Sequence, residues 1–143
     1  MTTTWAHDLL EGRITPPPAA VLLGFDLRAF DPGARTIEIG FTARAEFLNL
    51  AGHVQGGLLC AMLDSVLGSV VVATLDEGEW APTTDLHTQF HSPGLAGPIV
   101  GHGRVTRRGR RIAFASGELV APDGRLIATA VATSAITSSK PTT

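Results

Sequence analysis

The 143-residue chain contains one cysteine, Cys60, which excludes an internal disulfide framework and a cysteine-rich zinc site. Charge is sparse as well. Acidic and basic residues nearly cancel, and the net charge of −2 gives no overall attraction for nucleic acid or an anionic membrane. A polyanionic ligand would have to be met by a local patch. The segment MTTTWAHDLLEGR lacks a basic start and carries acidic residues where a secretory signal would be apolar, so a cytoplasmic location is expected. There is no internal repeat, low-complexity block or long linker. One domain over residues 1–143 is therefore expected, with 1–20 as an N-terminal extension and 138–143 as a frayed polar tail.

Long hydrophobic runs are absent with one exception, GGLLCAMLDSVLGSVVVATL from Gly56 to Leu75. Its length approaches a membrane span. Asp64 near its middle would cost roughly 2.5–3.5 kcal/mol on insertion, and no Lys or Arg flanks either end. A buried core helix is the better reading.

Around that helix the pattern has a period of two. Short helical turns are expected at Trp5 to Glu11 and Ala19 to Leu23, separated by Thr15-Pro16-Pro17-Pro18. Strands are expected at Phe25 to Phe30 and Thr36 to Ala43, the second with Ile37, Ile39 and Phe41 on one face. Four more follow the helix: Thr83 to His91, Ile99 to Arg107, Arg111 to Ala121 and Arg125 to Ile136. The turns between them carry Arg108-Gly109 and Pro122-Asp123-Gly124. A helix that is apolar all round has to be surrounded by protein. The simplest solution is an α+β fold in which a curved antiparallel sheet wraps one long helix. Such a sheet would not cover the helix alone, so a dimer is expected.

Asp64 is the most informative residue, because carboxylates are almost never buried without a partner or a purpose. On a helix it shares its face with Gly57, Cys60, Ala61, Gly68 and Val71. Most of these are small and leave space beside the carboxylate. A core Asp bonded to a hydroxyl or a backbone amide would fit equally well at this point. Gly56-Gly57 at the helix start adds free N–H groups and a positive helix end, where a carbonyl could be polarised and an oxyanion held. The bland alternative for the two glycines is tight packing.

Asn49-Leu50-Ala51-Gly52-His53-Val54-Gln55-Gly56-Gly57, with Asp64 seven residues further on, resembles the motif of hot-dog-fold acyl-CoA thioesterases of the phenylacetate-degradation type. Thr83 to Pro93, Gly109 to Phe114 and Gly124 to Ala130 resemble that family's later strand and last hairpin. The resemblance covers roughly Gly24 to Ile136, in register with the elements above. It implies the hot-dog fold and a site at a subunit interface. Asp64 would be the general base or nucleophile, and the Gly57 amide would hold the carbonyl oxygen. Asn49 would position the carbonyl or the water, and Thr83 would orient that water. Gln55 stands where many relatives have His; it can donate a hydrogen bond but cannot shuttle a proton at neutral pH. Simple alternation puts Thr83 on the polar side of its strand, so a bulge or a strand-end twist would be needed to aim it at the pocket.

His53, Gly56, Cys60 and Gly68 are further candidates for lining the substrate site. Arg107, Arg108 and Arg110 form the strongest basic cluster, readable as a dock for coenzyme A phosphates or as a solvated turn. His87 and His91 share a strand face and His102 is placed on a neighbouring strand, but carboxylate-rich ligand spacing is lacking and no metal is expected. The function expected is hydrolysis of an acyl-CoA thioester to the acid and CoA by a homo-oligomer, dimer or tetramer, without metal or organic cofactor. The alternatives are a non-catalytic acyl-CoA binder and a purely structural oligomer. A solvated carboxylate is a feeble base, so the enzymatic reading expects Asp64 to be sheltered in the assembled protein.

Overall fold

Alternation decides which side of each strand meets the core, and the middle of the chain follows it closely. In the computed structural model, which describes residues 5–138, strand β2 (Thr36–Ala43) buries Ile37, Ile39 and Phe41 on one face. Strand β1 (Asp26–Asp31) pairs with it through a turn in which Asp31 Oδ1 accepts from the Gly33 and Ala34 amides at 2.9 and 3.0 Å. Two short helices, α1 (Trp5–Leu10) and α2 (Pro18–Leu22), precede them, and the long helix α3 (Gly56–Val72) follows. The remaining strands are β3 (Thr83–Phe90), β4 (Gly97–Arg108), β5 (Ile112–Val120) and β6 (Leu126–Ala135). All pairings are antiparallel, in the order β1-β2-β4-β5-β6-β3. One curved sheet around one helix is the hot-dog arrangement. The proposed tail at 138–143 lies, apart from Ser138, outside the described residues.

The helix can lie close to the sheet because the central strands carry glycine where it crosses. A Cβ at Gly101 or Gly103 of β4 would stand 2.5 or 2.7 Å from a Val66 methyl carbon. No stiff β-branched neighbour could give way by that much. Val66 and Leu67 thereby become fully buried, together with Met62, Leu63 and Val70. The helix stops at Val72, short of Leu75 where the apolar run ends. Thr74 has bonded its hydroxyl back to the Val71 carbonyl at 2.7 Å, which competes with a further turn.

The expectation that α3 is apolar all round is corrected. Its large side chains occupy one side, whereas Gly57 and Asp64 on the other are exposed in the single chain. Six strands do not close around the helix. The open side runs along β3, whose outer edge has no strand partner among the described residues. At the opposite edge, β1 is flanked by α1, with the His7 ring edge-on to Phe30 at 6.3 Å. The β3 edge, TTDLHTQF, has neither proline nor lysine to discourage pairing.

Arg108 is also corrected. It is not a free cation of the hairpin: its guanidinium is paired with Glu79, lies 3.7 Å from Asp76, and donates to the Gly109 carbonyl at 2.8 Å. With 16% of its side chain exposed, it ties the β4–β5 hairpin to the loop after α3. Replacing Arg108 by Ala should lower the stability of the chain by about 1–3 kcal/mol, read from a denaturant midpoint at unchanged slope. A change below about 0.5 kcal/mol would reduce the contact to an ordinary surface pair.

Candidate active site

A tight loop delivers the chain to the start of α3. Asn49 Oδ1 accepts from the Ala51 and His53 amides at 2.9 and 3.2 Å, and the Asn49 amide donates to the His53 carbonyl at 2.7 Å. The Val54 and Gln55 amides then anchor the exit to Gly94 and Phe47. The side-chain oxygen of Asn49 is therefore committed to building the loop, and only its Nδ2 group is left to face a ligand. His53 belongs to the same loop, through its backbone.

At the helix start Gln55 is the N-cap residue, yet its side chain makes no capping bond. Its carbonyl accepts from Leu58 at 2.9 Å and Leu59 at 3.3 Å. Among the described residues, nothing accepts from the Gly56 or Gly57 amides. Orphan donors at a positive helix end are suited to a developing negative charge. The two glycines differ in their surroundings. A Cβ on Gly56 would meet the Phe90 ring at 3.2 Å, whereas one on Gly57 would meet nothing within 4 Å. Gly57 also has no positive φ that would require glycine. Within one chain, neither packing nor backbone conformation accounts for glycine at 57.

Beside these amides, Gly57, Cys60, Ala61 and Asp64 of α3 face Thr83, Thr84, Asp85 and Leu86 of β3 across a cleft of about 380 Å³. The bulge that Thr83 required is present: the register slips between Thr83, opposite Ser134, and Asp85, opposite Thr133. Thr84 donates its hydroxyl to the Thr133 carbonyl at 3.1 Å. Thr83 turns instead toward the helix, its Oγ1 3.9 Å from where a Cβ on Gly68 would stand. Asp64, Gly57, Cys60 and Thr83 thus converge on one cleft, with Gly68 at its border.

The Gly57 amide and Asp64 do not converge on a single point. Seven residues at about 1.5 Å rise place them about 10 Å apart along the axis. One carbonyl group in contact with an oxyanion donor and an attacking atom spans only about 6 Å. Within one chain Asp64 is therefore too far to add directly to a carbonyl held at Gly57.

A family model for the thioesterase superfamily matches residues 51–128, more than half of the chain. The chain belongs to the thioesterase superfamily. A phenylacetic acid degradation-related protein from Ralstonia eutropha JMP134 has 41% sequence identity and a TM-score of 0.88, over 92% of this chain and 99% of its own. The E. coli PaaI protein of the phenylacetic acid degradation operon shares the fold at 22% identity and a TM-score of 0.81, over 96% of this chain and 94% of its own. So does smu.793 of Streptococcus mutans UA159, solved bound to acetyl CoA, at 22% identity and a TM-score of 0.73 over 82% and 91%. The family assignment carries thioester hydrolysis as the general activity.

For this thioesterase-superfamily chain the remaining candidates fall away from the cleft. Arg107 and Arg110 are exposed on the β4–β5 hairpin, which Arg108 fastens to the loop beyond the far end of α3. Nor is His102 on a strand next to His87 and His91, because β5 and β6 separate β4 from β3. His102 lies between Glu38 and Glu118, at 3.5 and 3.8 Å, and His91 Nε2 meets Thr129 Oγ1 at 2.8 Å. A larger cleft of about 730 Å³ crosses that outer sheet face, past His87, His102 and Arg104. It contains neither Gly57 nor Asp64. Size alone favours the outer cleft, but the free helix amides and the carboxylate decide for the smaller one. Thr84, Asp85 and Leu86 line the cleft and Phe90 stands at the helix start, although the sequence motifs do not single them out; period two puts Leu86 and Phe90 on one face of β3.

Proposed function

We propose that the protein hydrolyses an acyl-CoA thioester to the free acid and CoA at a site shared by two subunits. The observation that carries this reading is Gly57, a helical glycine with an unbonded amide and open space where a side chain would stand. A glycine in a helix costs roughly 1 kcal/mol relative to alanine, so its use points to something outside the chain that approaches closely. The acetyl CoA bound to smu.793 supports a CoA thioester as that ligand.

In this mechanism the carbonyl oxygen accepts from the Gly57 amide, with Asn49 Nδ2 and Gln55 as additional donors. Asp64 removes a proton from water as its oxygen adds to the acyl carbon, or adds to that carbon itself. Thr83 orients the water. The tetrahedral oxyanion collapses, the C–S bond breaks, and the departing thiolate takes up the proton released by the attacking water. Where Asp64 itself has added, a water then hydrolyses the mixed anhydride, releasing the acid and restoring the carboxylate. No step requires a metal or an organic cofactor. Gly57 and Asp64 of one chain lie about 10 Å apart along the helix, which favours an Asp64 supplied by the partner subunit. The unpaired β3 edge can bring it there, since two copies joined antiparallel through β3 would run their helices in opposite directions. Further pairing of such dimers into a tetramer would leave this site intact.

A non-catalytic acyl-CoA binder is favoured by one observation, the exposed Gln55 side chain, which makes no capping bond and cannot shuttle a proton at neutral pH. Release of free thiol from a panel of aryl- and alkyl-CoA thioesters separates the two readings. Turnover above background establishes the enzyme, and binding without release establishes the carrier.

Gly57→Ala gives a prediction of opposite signs. The added methyl meets no neighbour and improves helix propensity, so the chain should gain up to about 1 kcal/mol in stability. The same methyl intrudes on the carbonyl, and kcat/KM should fall by about a hundredfold. A variant as active as wild type would remove Gly57 from the mechanism.

A further inference from the structure

Phe90 is the last residue of β3 and lies on its helix-facing side. Its ring covers Gly56, with carbons 3.2, 3.4 and 3.7 Å from where a Cβ on that glycine would stand. The neighbouring Gly57 amide is left open. Even so, 54% of Phe90 is exposed, an apolar ring standing in water beside the free helix amides. On the shared-site reading, on which this inference rests, antiparallel pairing of two β3 strands about their midpoint sets Phe90 of one subunit against the opposite end of the other strand. That end carries Thr83, beside Asp64 and Gly68.

We propose that the Phe90 ring of each subunit roofs the carbonyl held at its own helix start and keeps bulk water from the partner subunit's Asp64. The single-chain cleft is open, and a carboxylate in open water is a weak base and a hydrated, weak nucleophile toward a thioester. A ring resting on a glycine can cover the site without blocking Gly57, because Gly56 has no side chain to hold it away. Apolar bulk at 90 dries the site, so that the amide dipole and the carboxylate act at low dielectric. Phe90 is a shielding residue and exchanges no proton or electron with the substrate.

The test uses the assembled protein and two readouts. In the first, thiol release by wild type, Phe90→Ala and Phe90→Leu is followed over a range of substrate concentrations. Phe90→Ala should lose about tenfold in kcat with KM changed by less than about threefold, and Phe90→Leu should recover most of the loss. In the second, the single thiol, Cys60 in the same cleft, is alkylated with iodoacetamide. Its rate should rise about fivefold in Phe90→Ala and little in Phe90→Leu. Unchanged kcat and an unchanged Cys60 rate overturn the roof while leaving the hydrolase reading in place. A rise in KM alone also overturns it, because Phe90 would then be a binding contact. If wild type releases no thiol from any thioester, the hydrolase reading falls, and the Cys60 rates by themselves decide whether Phe90 covers the cleft. Should Phe90→Ala fail to assemble, Phe90→Val takes its place in both measurements.

Discussion

Asp64→Asn is expected to lower kcat for thioester hydrolysis by about a thousandfold or more, with the fold and its stability unchanged. The expectation has two parts because the structure separates them. Asp64 is exposed in the single chain and makes no hydrogen bond or ion pair among the described residues, so Asn, nearly the same shape, removes no contact described for the fold. Surface substitutions of that kind stay within about 0.5 kcal/mol. The amide can still bond to water but neither accepts its proton nor attacks a carbonyl. Rate and melting temperature measured on the same preparation check both parts. A folded variant retaining activity within a few fold would show that Asp64 is not the attacking group. A large loss of stability would favour the structural oligomer, in which Asp64 serves assembly.

Most of the fold was legible because its signals are local. Ile37, Ile39 and Phe41 announce a half-buried strand, and the sheet folds them inward. Asp31-Pro32-Gly33-Ala34 is a turn by its own side-chain hydrogen bonds. The face shared by Gly57, Cys60, Ala61 and Asp64 follows from helical spacing alone, and it is the wall of the cleft. Thr83 needed more than alternation, since its aim depends on an irregularity of one residue against β6.

What was not legible depends on long-range neighbours. Strand order is one case: nothing local to His102 says that two strands separate it from His87. Arg108 is another, because its partner Glu79 is 29 residues away and competes with any phosphate for the same guanidinium. Asn49 has a second task that the motif does not show. The motif identified the residue, but its Oδ1 folds the loop that positions Gly56 and Gly57. Only its Nδ2 group is left to meet a ligand directly. The exposure of Asp64 follows from how far six strands can wrap a helix, a property of the whole sheet.

Mixing two inactive variants should restore activity if the site is shared. In Asp64→Asn each subunit keeps a working helix start, and in Gly57→Val each keeps a working carboxylate. A dimer containing one of each has one site with both groups intact and one with neither, provided that Gly57 and Asp64 of a site come from different subunits. With random exchange at equal concentrations, half of the dimers are mixed, and about a quarter of wild-type activity should return. If both groups of a site came from the same chain, every site in the mixture would lack one of them, and no activity would return. The geometry favours recovery, because about 10 Å of helix separates Gly57 from Asp64 in one chain and no single carbonyl reaches across it. Recovery must also depend on subunit exchange, appearing after the variants are denatured and refolded together but not when they are assembled separately and assayed at once. A quarter of the activity under the first condition and none under the second would assign the two halves of the site to two subunits. No recovery under either would return Asp64 to its own helix start and require α3 to bend between them.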